Sequence, residues 1–154
     1  MKCLILAAGY ATRLYPLTEN KPKALLMLGS KTILDRVCEK IEEVEDVNNI
    51  YIVTNHRFAD QLTEWANGYK GKKPIKVLDD GTTSNDNRLG AIGDMKFVID
   101  SENITDEILV MASDNVFDFS LNDMVKLYRE KNADLISAHY VEDLVDLRQM
   151  GVLE

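Results

Sequence analysis

The sequence predicts an α/β fold of three layers, with a mainly parallel sheet between helices. Short runs of apolar and β-branched residues alternate with longer stretches of helical periodicity. Several of the short runs are apolar at consecutive positions, as in strands covered on both faces. The alternation passes through 154 residues without a linker, low-complexity tract or internal repeat. One domain over 1–154 is therefore expected, burying roughly two-thirds of its unfolded surface.

The elements follow in order. "KCLILAA" (2–8) reads as the first strand and stops at Gly9. A connection over 9–31 follows, rich in Gly, Thr, Asn and Pro. Thr32, with Asp35 three residues later, resembles a capping box and opens the stripe Ile33, Leu34, Val37, Ile41 and Val44. The acidic run Glu42–Asp46 is expected to be the solvated end of that helix. "NIYIVTN" (49–55) is a second strand. "FADQLTEWANGY" (58–69) is a helix with Trp65 in the core and Gly68 as its stop. "PIKVLDD" (74–80) is a third strand, followed by a second long connection over 80–90. "EILVMAS" (107–113) is a fourth strand. Ser120 with Asp123 opens a stripe through Leu121, Met124, Val125 and Tyr128, and "DLISAHYV" (134–141) reads as a fifth strand. Right-handed crossovers join such units. Connections longer than the usual 2–6 residues are candidates for function, and ligands of open α/β sheets bind beyond the carboxyl ends of the strands.

Composition narrows the partners. Eighteen Lys and Arg against 26 Asp and Glu give a net charge of −8, which disfavours nucleic acid and anionic membrane as partners. No stretch approaches the ~20 apolar residues of a membrane span. The apolar run in "MKCLILAAG" is only about six residues, short of the roughly 7–15 of a secretion-signal core, so a cytoplasmic location is expected. Cys3 and Cys38 fit no C-x-x-C pattern and read as reduced thiols packed as small hydrophobes. His56 and His139 lack a second His or Cys at ligand spacing and read as structural.

On this acidic background a basic loop stands out. In "LAAGYATRLYPLTENKPKAL" (6–25), Gly9 at a strand exit lets backbone N–H groups approach a phosphate. Arg13 offers a planar fork for phosphate oxygens and Lys23 a mobile point charge. Pro16 and Pro22 restrict the loop and lower the entropy of presenting those charges. Neither G-x-x-x-x-G-K-[ST] nor G-x-G-x-x-G occurs. On loop chemistry alone, a phosphate cradle and a solvated basic turn are equally open. Asp114 at the end of "LVMASDN" could bind a metal or merely bond local backbone at a turn.

The stretch closely resembles the signature L-A-A-G-x-G-T-R-L-x-P-x-T…P-K-x-L of the sugar-1-phosphate nucleotidylyltransferases. "LVMASDN" (109–115) is similar to that family's strand ending in aspartate, and "MGVLE" (150–154) to its Y-G-V-V-E segment. The resemblance implies a Rossmann-like nucleotidyltransferase fold, and a reaction in which a sugar 1-phosphate attacks the α-phosphorus of an NTP and pyrophosphate leaves. It implies that Arg13 holds the β- and γ-phosphates, that Lys23 bridges the α-phosphate and the incoming phosphate, and that Asp114 ligates Mg²⁺. Leu6, Ala7, Ala8, Gly9, Ala11 and Gly90 would face the nucleotide, with Thr12 bracing the loop through its hydroxyl. Gly151 would lie at the acceptor. A transfer between anions needs positioning and charge neutralisation more than a protein nucleophile, and hard Mg²⁺ suits carboxylate and phosphate oxygen.

Three departures from the family pattern shape the expectation. The second loop glycine is Ala11, which costs about 1 kcal/mol or more if the position needs positive φ. The base-reading segment is "DGTTSNDNRLGAIGD" (80–94), with Arg88 near the family glycine. There Asn85 or Asn87 could read a pyrimidine edge, or the loop could simply cap the next helix. This segment also resembles that of phosphocholine cytidylyltransferases, which keeps open a cytidylyltransferase acting on phosphocholine or a similar phosphorylated alcohol. Finally, family domains continue past the equivalent of Glu154 into an E-K-P segment and a second metal-binding aspartate. The fold is thus expected to be incomplete at its C-terminus, with little turnover from these residues alone. A non-catalytic nucleotide-binding regulatory homologue is the reading from another class. The expected partners are an NTP with a pyrimidine base and a phosphorylated small-molecule acceptor; the oligomeric state is open, a homo-oligomer included.

Overall fold

The computed structural model describes residues 1–138 and 140. Its main sheet is built around β1 (Lys2–Leu6), which has a parallel neighbour on each side. The elements run β1, β2 (Met27–Leu28), β3 (Lys31–Thr32), α1 (Ile33–Glu42), β4 (Asn49–Thr54), α2 (Ala59–Gly68), β5 (Ile75–Asp79), α3 (Gly90–Glu102), β6 (Ile108–Ala112) and α4 (Leu121–Lys131). The sheet has the order β5-β4-β1-β6, parallel throughout. The chain divides into two compact units, Met1–Asn122 and Asp123–Glu154.

In the first unit, side-chain alternation assigns the strands' residues to two faces. Leu4, Tyr51, Val53 and Leu78 form one buried cluster with Val98 of α3, and Leu6, Met95 and Phe97 pack against it. On the opposite face Cys3, Ile5, Ile50 and Ile52 are fully buried. The register sets these residues side by side, Cys3 with Ile50 and Ile5 with Ile52. Both cysteines are free and buried, as expected. Burial pushes the Cys3 thiol up to about 12 and raises Cys38 as well, so neither is a ready nucleophile.

The start of α1 is a capping box. Asp35 N–H donates to Thr32 Oγ1 (3.0 Å) and Thr32 N–H donates to Asp35 Oδ2 (2.8 Å), satisfying two otherwise orphaned helix donors. Trp65 is half-buried, not core, because its indole N–H reaches Asp35 Oδ1 at 3.0 Å. Glu42 likewise departs from the expected solvated run. Its Oε1 accepts from the N–H groups of Lys72 and Lys73 (3.0 and 3.1 Å), while Glu43, Glu45 and Asp46 are exposed.

Two elements escaped the periodicity. The β2–β3 hairpin interrupts the connection over 9–31, turning at Gly29 with φ +71°. Strands of two residues are too short to leave a pattern. α3 has apolar residues on several sides, so no single stripe marks it. The expected fifth strand over 134–141 is not found at 134–138, which have no regular structure. An apolar run becomes a strand only with a partner for its N–H and C=O groups. Residues 141–154, the "MGVLE" segment and Gly151 among them, and His139 lie outside the described residues. In the second unit α4 is followed by Asn132 at φ 48°, whose N–H caps Tyr128 C=O at 2.9 Å. Among the described residues no helix is long and apolar enough to cross a membrane.

The connection between β5 and α3 is fastened by carboxyl groups. Asp79 Oδ1 accepts from Gly81 N–H, and its Oδ2 meets His56 Nδ1 at 2.6 Å. That bond raises the pKa of the exposed His56. Asp80 Oδ1 accepts from Thr82 N–H and Oγ1 (2.7 and 2.6 Å). Asp94, buried near the start of α3, lies against the Asp80 carboxylate, and because Asp94 Oδ1 and Asp80 Oδ2 have no other partner among the described residues, a proton on Asp94 can be shared between them. Burial, and then the Asp80 charge and bond, push the Asp94 carboxyl from 3.8 up to about 6. The folded state therefore holds a proton that the unfolded chain has released, and this contribution to stability falls as pH rises through that window. Asp94→Asn keeps a donor toward Asp80 but cannot titrate. Thermal melts from pH 4 to 7 should show a falling wild-type midpoint across the window and a flatter profile for the variant.

Candidate active site

The site is assembled where β1 and β6 end. Their register places Leu6 opposite Ala112, so Ser113 and Asp114 leave the sheet beside the segment that follows β1. Ser113 N–H donates to Leu6 C=O at 3.1 Å, and Ala7 N–H donates to Val53 C=O of β4 at 2.8 Å. The strand ends are thus tied on both sides before the loop departs. Gly9, with no Cβ and no atom within 4 Å of where one would be, leaves its backbone open.

Beyond Gly9 the loop makes two tight turns. Ala11 lies in the left-handed region (φ 47°, ψ 38°), and Thr12–Leu14 forms a 3-10 turn carrying Arg13. The Ala11 carbonyl accepts from Leu14 N–H (3.0 Å) and from Thr18 Oγ1 (2.8 Å). The expected brace from Thr12 is thus found instead at Thr18, which is fully buried, whereas Thr12 is exposed. A second 3-10 turn, Lys23–Leu25, starts after Pro22 and is anchored by buried Ala24 and Leu25. It holds Lys23 across from β6.

A cavity of about 480 Å³ results, lined by Leu6, Ala7, Gly9, Ala11, Arg13, Leu14, Lys23, Ala24, Ser113 and Asp114. Lys23 Nζ and Asp114 Oδ2 form an ion pair at 2.7 Å, with side chains 37% and 34% exposed. At such exposure the pair is worth about 0–1 kcal/mol, so each partner can be drawn to a ligand at small cost. Arg13 has no ion-pair partner among the described residues. Among the described residues no three His, Cys, Asp or Glu side chains group as a metal cage. Mg²⁺ commonly takes one or two carboxylates and completes its shell with substrate phosphates and water. Asp114, in a cavity that also holds Arg13 and Lys23, fits that mode.

Seven residues singled out in the sequence therefore meet at one cavity: Leu6, Ala7, Gly9, Ala11, Arg13, Lys23 and Asp114. Ala8 is buried behind it, its carbonyl accepting from Asn55 Nδ2 at 2.9 Å. Asn85, Asn87 and Gly90 are exposed and do not line the cavity. Asn87 Oδ1 accepts from Ser84 N–H (3.0 Å) and Thr83 N–H (3.2 Å), and its Nδ2 donates to Thr83 Oγ1. Its amide thus shapes the loop from within. Asn85 Oδ1 accepts from Arg88 at 3.1 Å. Ser113, Leu14, Ala24, Thr18 and Asn55 complete or brace the site without having been singled out as ligands. The first three are sequence neighbours of predicted residues; the other two act over distance.

Fold and site together define an α/β protein with a cavity suited to a phosphorylated anion at the carboxyl ends of its strands. Comparison with known proteins gives the family: residues 2–154 match the family model described as nucleotidyl transferase, and the chain belongs to that family. It is 32% identical over 126 residues to the bifunctional protein GlmU of Methanocaldococcus jannaschii, covering 82% of this chain and 28% of that protein. It is 28% identical over 144 residues to the UTP–glucose-1-phosphate uridylyltransferase AglF of Haloferax volcanii, covering 94% and 55%. A solved UDP-glucose pyrophosphorylase, complexed with UDP-glucose, shares the fold with a TM-score of 0.63 at 21% identity, over 85% of this chain and 54% of that one. The chain thus spans about a quarter to just over half the length of these proteins.

Ala11 carries the family departure into the structure, since its left-handed backbone is the case in which alanine is strained. Ala11→Gly should raise stability by about 0.5–1 kcal/mol, the relief of strain exceeding the added freedom of the unfolded chain. Urea denaturation followed by circular dichroism measures this, and an unchanged or lowered midpoint contradicts it.

Proposed function

We propose that the chain is the nucleotide-binding part of an enzyme that moves an NMP group from an NTP to a sugar 1-phosphate, releasing pyrophosphate. One observation carries this reading: Arg13, Lys23, Asp114 and the open backbone at Gly9 converge on a single cavity at the ends of β1 and β6. Two cations and free backbone suit a polyanionic donor. The names of the relatives, which include a uridylyltransferase of glucose 1-phosphate, point to the same chemistry.

In this reading a phosphate oxygen of the acceptor attacks the α-phosphorus, and the bond to the oxygen bridging α and β breaks. The electron pair leaves with pyrophosphate. Arg13 binds the β- and γ-phosphates and stabilises that leaving charge. Lys23, released from Asp114, neutralises the α-phosphate and the incoming phosphate, whose mutual repulsion is the main obstacle to approach. Asp114 would hold Mg²⁺, which when bound would supply further neutralisation of the phosphates. Gly9 allows close approach of backbone. A pyrimidine base stays part of the proposal through Asn85, on the exposed loop after β5.

Arg13→Ala should weaken binding of a nucleoside triphosphate about tenfold or more while changing monophosphate binding far less. Isothermal titration with UTP and UMP measures both, and equal losses contradict the placement of Arg13. Where pyrophosphate release from an NTP is measured with Mg²⁺, Asp114→Asn should lower it at least a hundredfold with an unchanged melting temperature. Activity retained in that variant removes the metal assignment.

A further inference from the structure

The cavity's backbone is held from behind by two side chains that are themselves fully buried. Asn55 leaves the end of β4 and donates from Nδ2 to the Ala8 carbonyl at 2.9 Å. Thr18, at the far side of the loop, donates from Oγ1 to the Ala11 carbonyl at 2.8 Å. The peptide units that follow Ala8 and Ala11 are trans, since the cis bond described in this chain is Tyr15–Pro16. In a trans peptide the C=O and N–H groups point in opposite directions. A carbonyl fixed toward a buried side chain therefore turns the next N–H away from it. Gly9 lines the cavity, and among the described residues its N–H has no acceptor in the chain. Thr12 does not itself line the cavity but lies between Ala11 and Arg13, which do, and its N–H likewise has no acceptor among the described residues.

Asn55 also has a feature that packing alone does not explain. Its Oδ1 is buried and has no hydrogen-bond partner among the described residues. An unsatisfied buried acceptor is destabilising, and here that cost accompanies the bond that fixes the buried Ala8 carbonyl. The amide is used at one end only, on the backbone of the loop.

We propose that Asn55 and Thr18 are positioning residues that aim the N–H groups of Gly9 and Thr12 at a bound polyphosphate by fixing the Ala8 and Ala11 carbonyls. The proposal rests on the reading of the cavity as a triphosphate site. Backbone N–H groups turned toward one cavity form an anion-binding concavity. Loss of the Asn55 bond frees the Ala8 peptide to rotate, while loss of the Thr18 bond leaves the Ala11 carbonyl held by Leu14 N–H alone and lets Ala11 relax toward an unstrained conformation.

The test uses inorganic tripolyphosphate as probe, with affinity from calorimetry and the amide resonances of Gly9 and Thr12 followed by NMR. In the wild type both resonances should shift on titration. Asn55→Ala and Thr18→Val should each raise Kd about tenfold. The Gly9 shift should be lost in the first variant and the Thr12 shift in the second. Thr18→Ser, which keeps the hydroxyl, should restore both affinity and shift. Wild-type binding accompanied by affinities within about twofold in both variants overturns the positioning roles and leaves the cavity reading standing. Absence of wild-type binding overturns the cavity reading, and this proposal with it. If Asn55→Ala does not fold, Asn55→Ser supplies a shorter donor, and retention of the wild-type Gly9 shift without a bond to Ala8 overturns its role.

Discussion

The parallel pairing of β1 with β6 is the constraint on which the rest of the site depends. Because Leu6 stands opposite Ala112, the loop after one strand and Asp114 after the other emerge at the same level. Without that register Lys23 and Asp114, 91 positions apart in sequence, could not meet at 2.7 Å. The register is in turn fixed by burial on both faces of β1. Slipping by one residue would exchange the Leu4 and Leu6 side with the Cys3 and Ile5 side and misalign both with β4. A demand for packing thus places groups that do no packing themselves.

The loop between β1 and α1 shows a second kind of control. It is not rigid by secondary structure, having only two 3-10 turns and a two-residue hairpin. Its shape comes from buried anchors: Thr18 inside the first part, Ala24 and Leu25 inside the second. Exposed Arg13 and partly exposed Lys23 hang between those anchors. Such a loop combines a fixed backbone with mobile cationic tips, which suits a site that must bind and release a charged ligand.

The architecture was legible in sequence where burial writes a pattern. β1, β4 and β6 are largely continuous apolar runs and β5 an apolar run broken by Lys76, and the capping box of Thr32 and Asp35 is local chemistry visible as spacing. The short hairpin left no period, and α3 no stripe. "DLISAHYV" has strand composition, yet residues 134–138 form none, because composition cannot supply a pairing partner. In the site, the charged residues were legible from a signature held in one stretch. Asn55 was not, since its bond to Ala8 spans 47 positions and nothing in "VTNH" announces it. Trp65 was misplaced for the same reason, its indole having a carboxylate on another helix.

The Lys23–Asp114 ion pair has a bearing on selectivity. Before loading, the two charges cancel inside a molecule that is otherwise strongly acidic. A free anion drawn to Lys23 would strand the carboxylate, and a free cation drawn to Asp114 would strand the ammonium. A metal–polyphosphate complex offers each of them a new counter-charge at once. On the proposed reading the pair, worth about 0–1 kcal/mol at its exposure, would tilt the site only slightly, about fivefold at most, toward a metal–polyphosphate complex over either half alone.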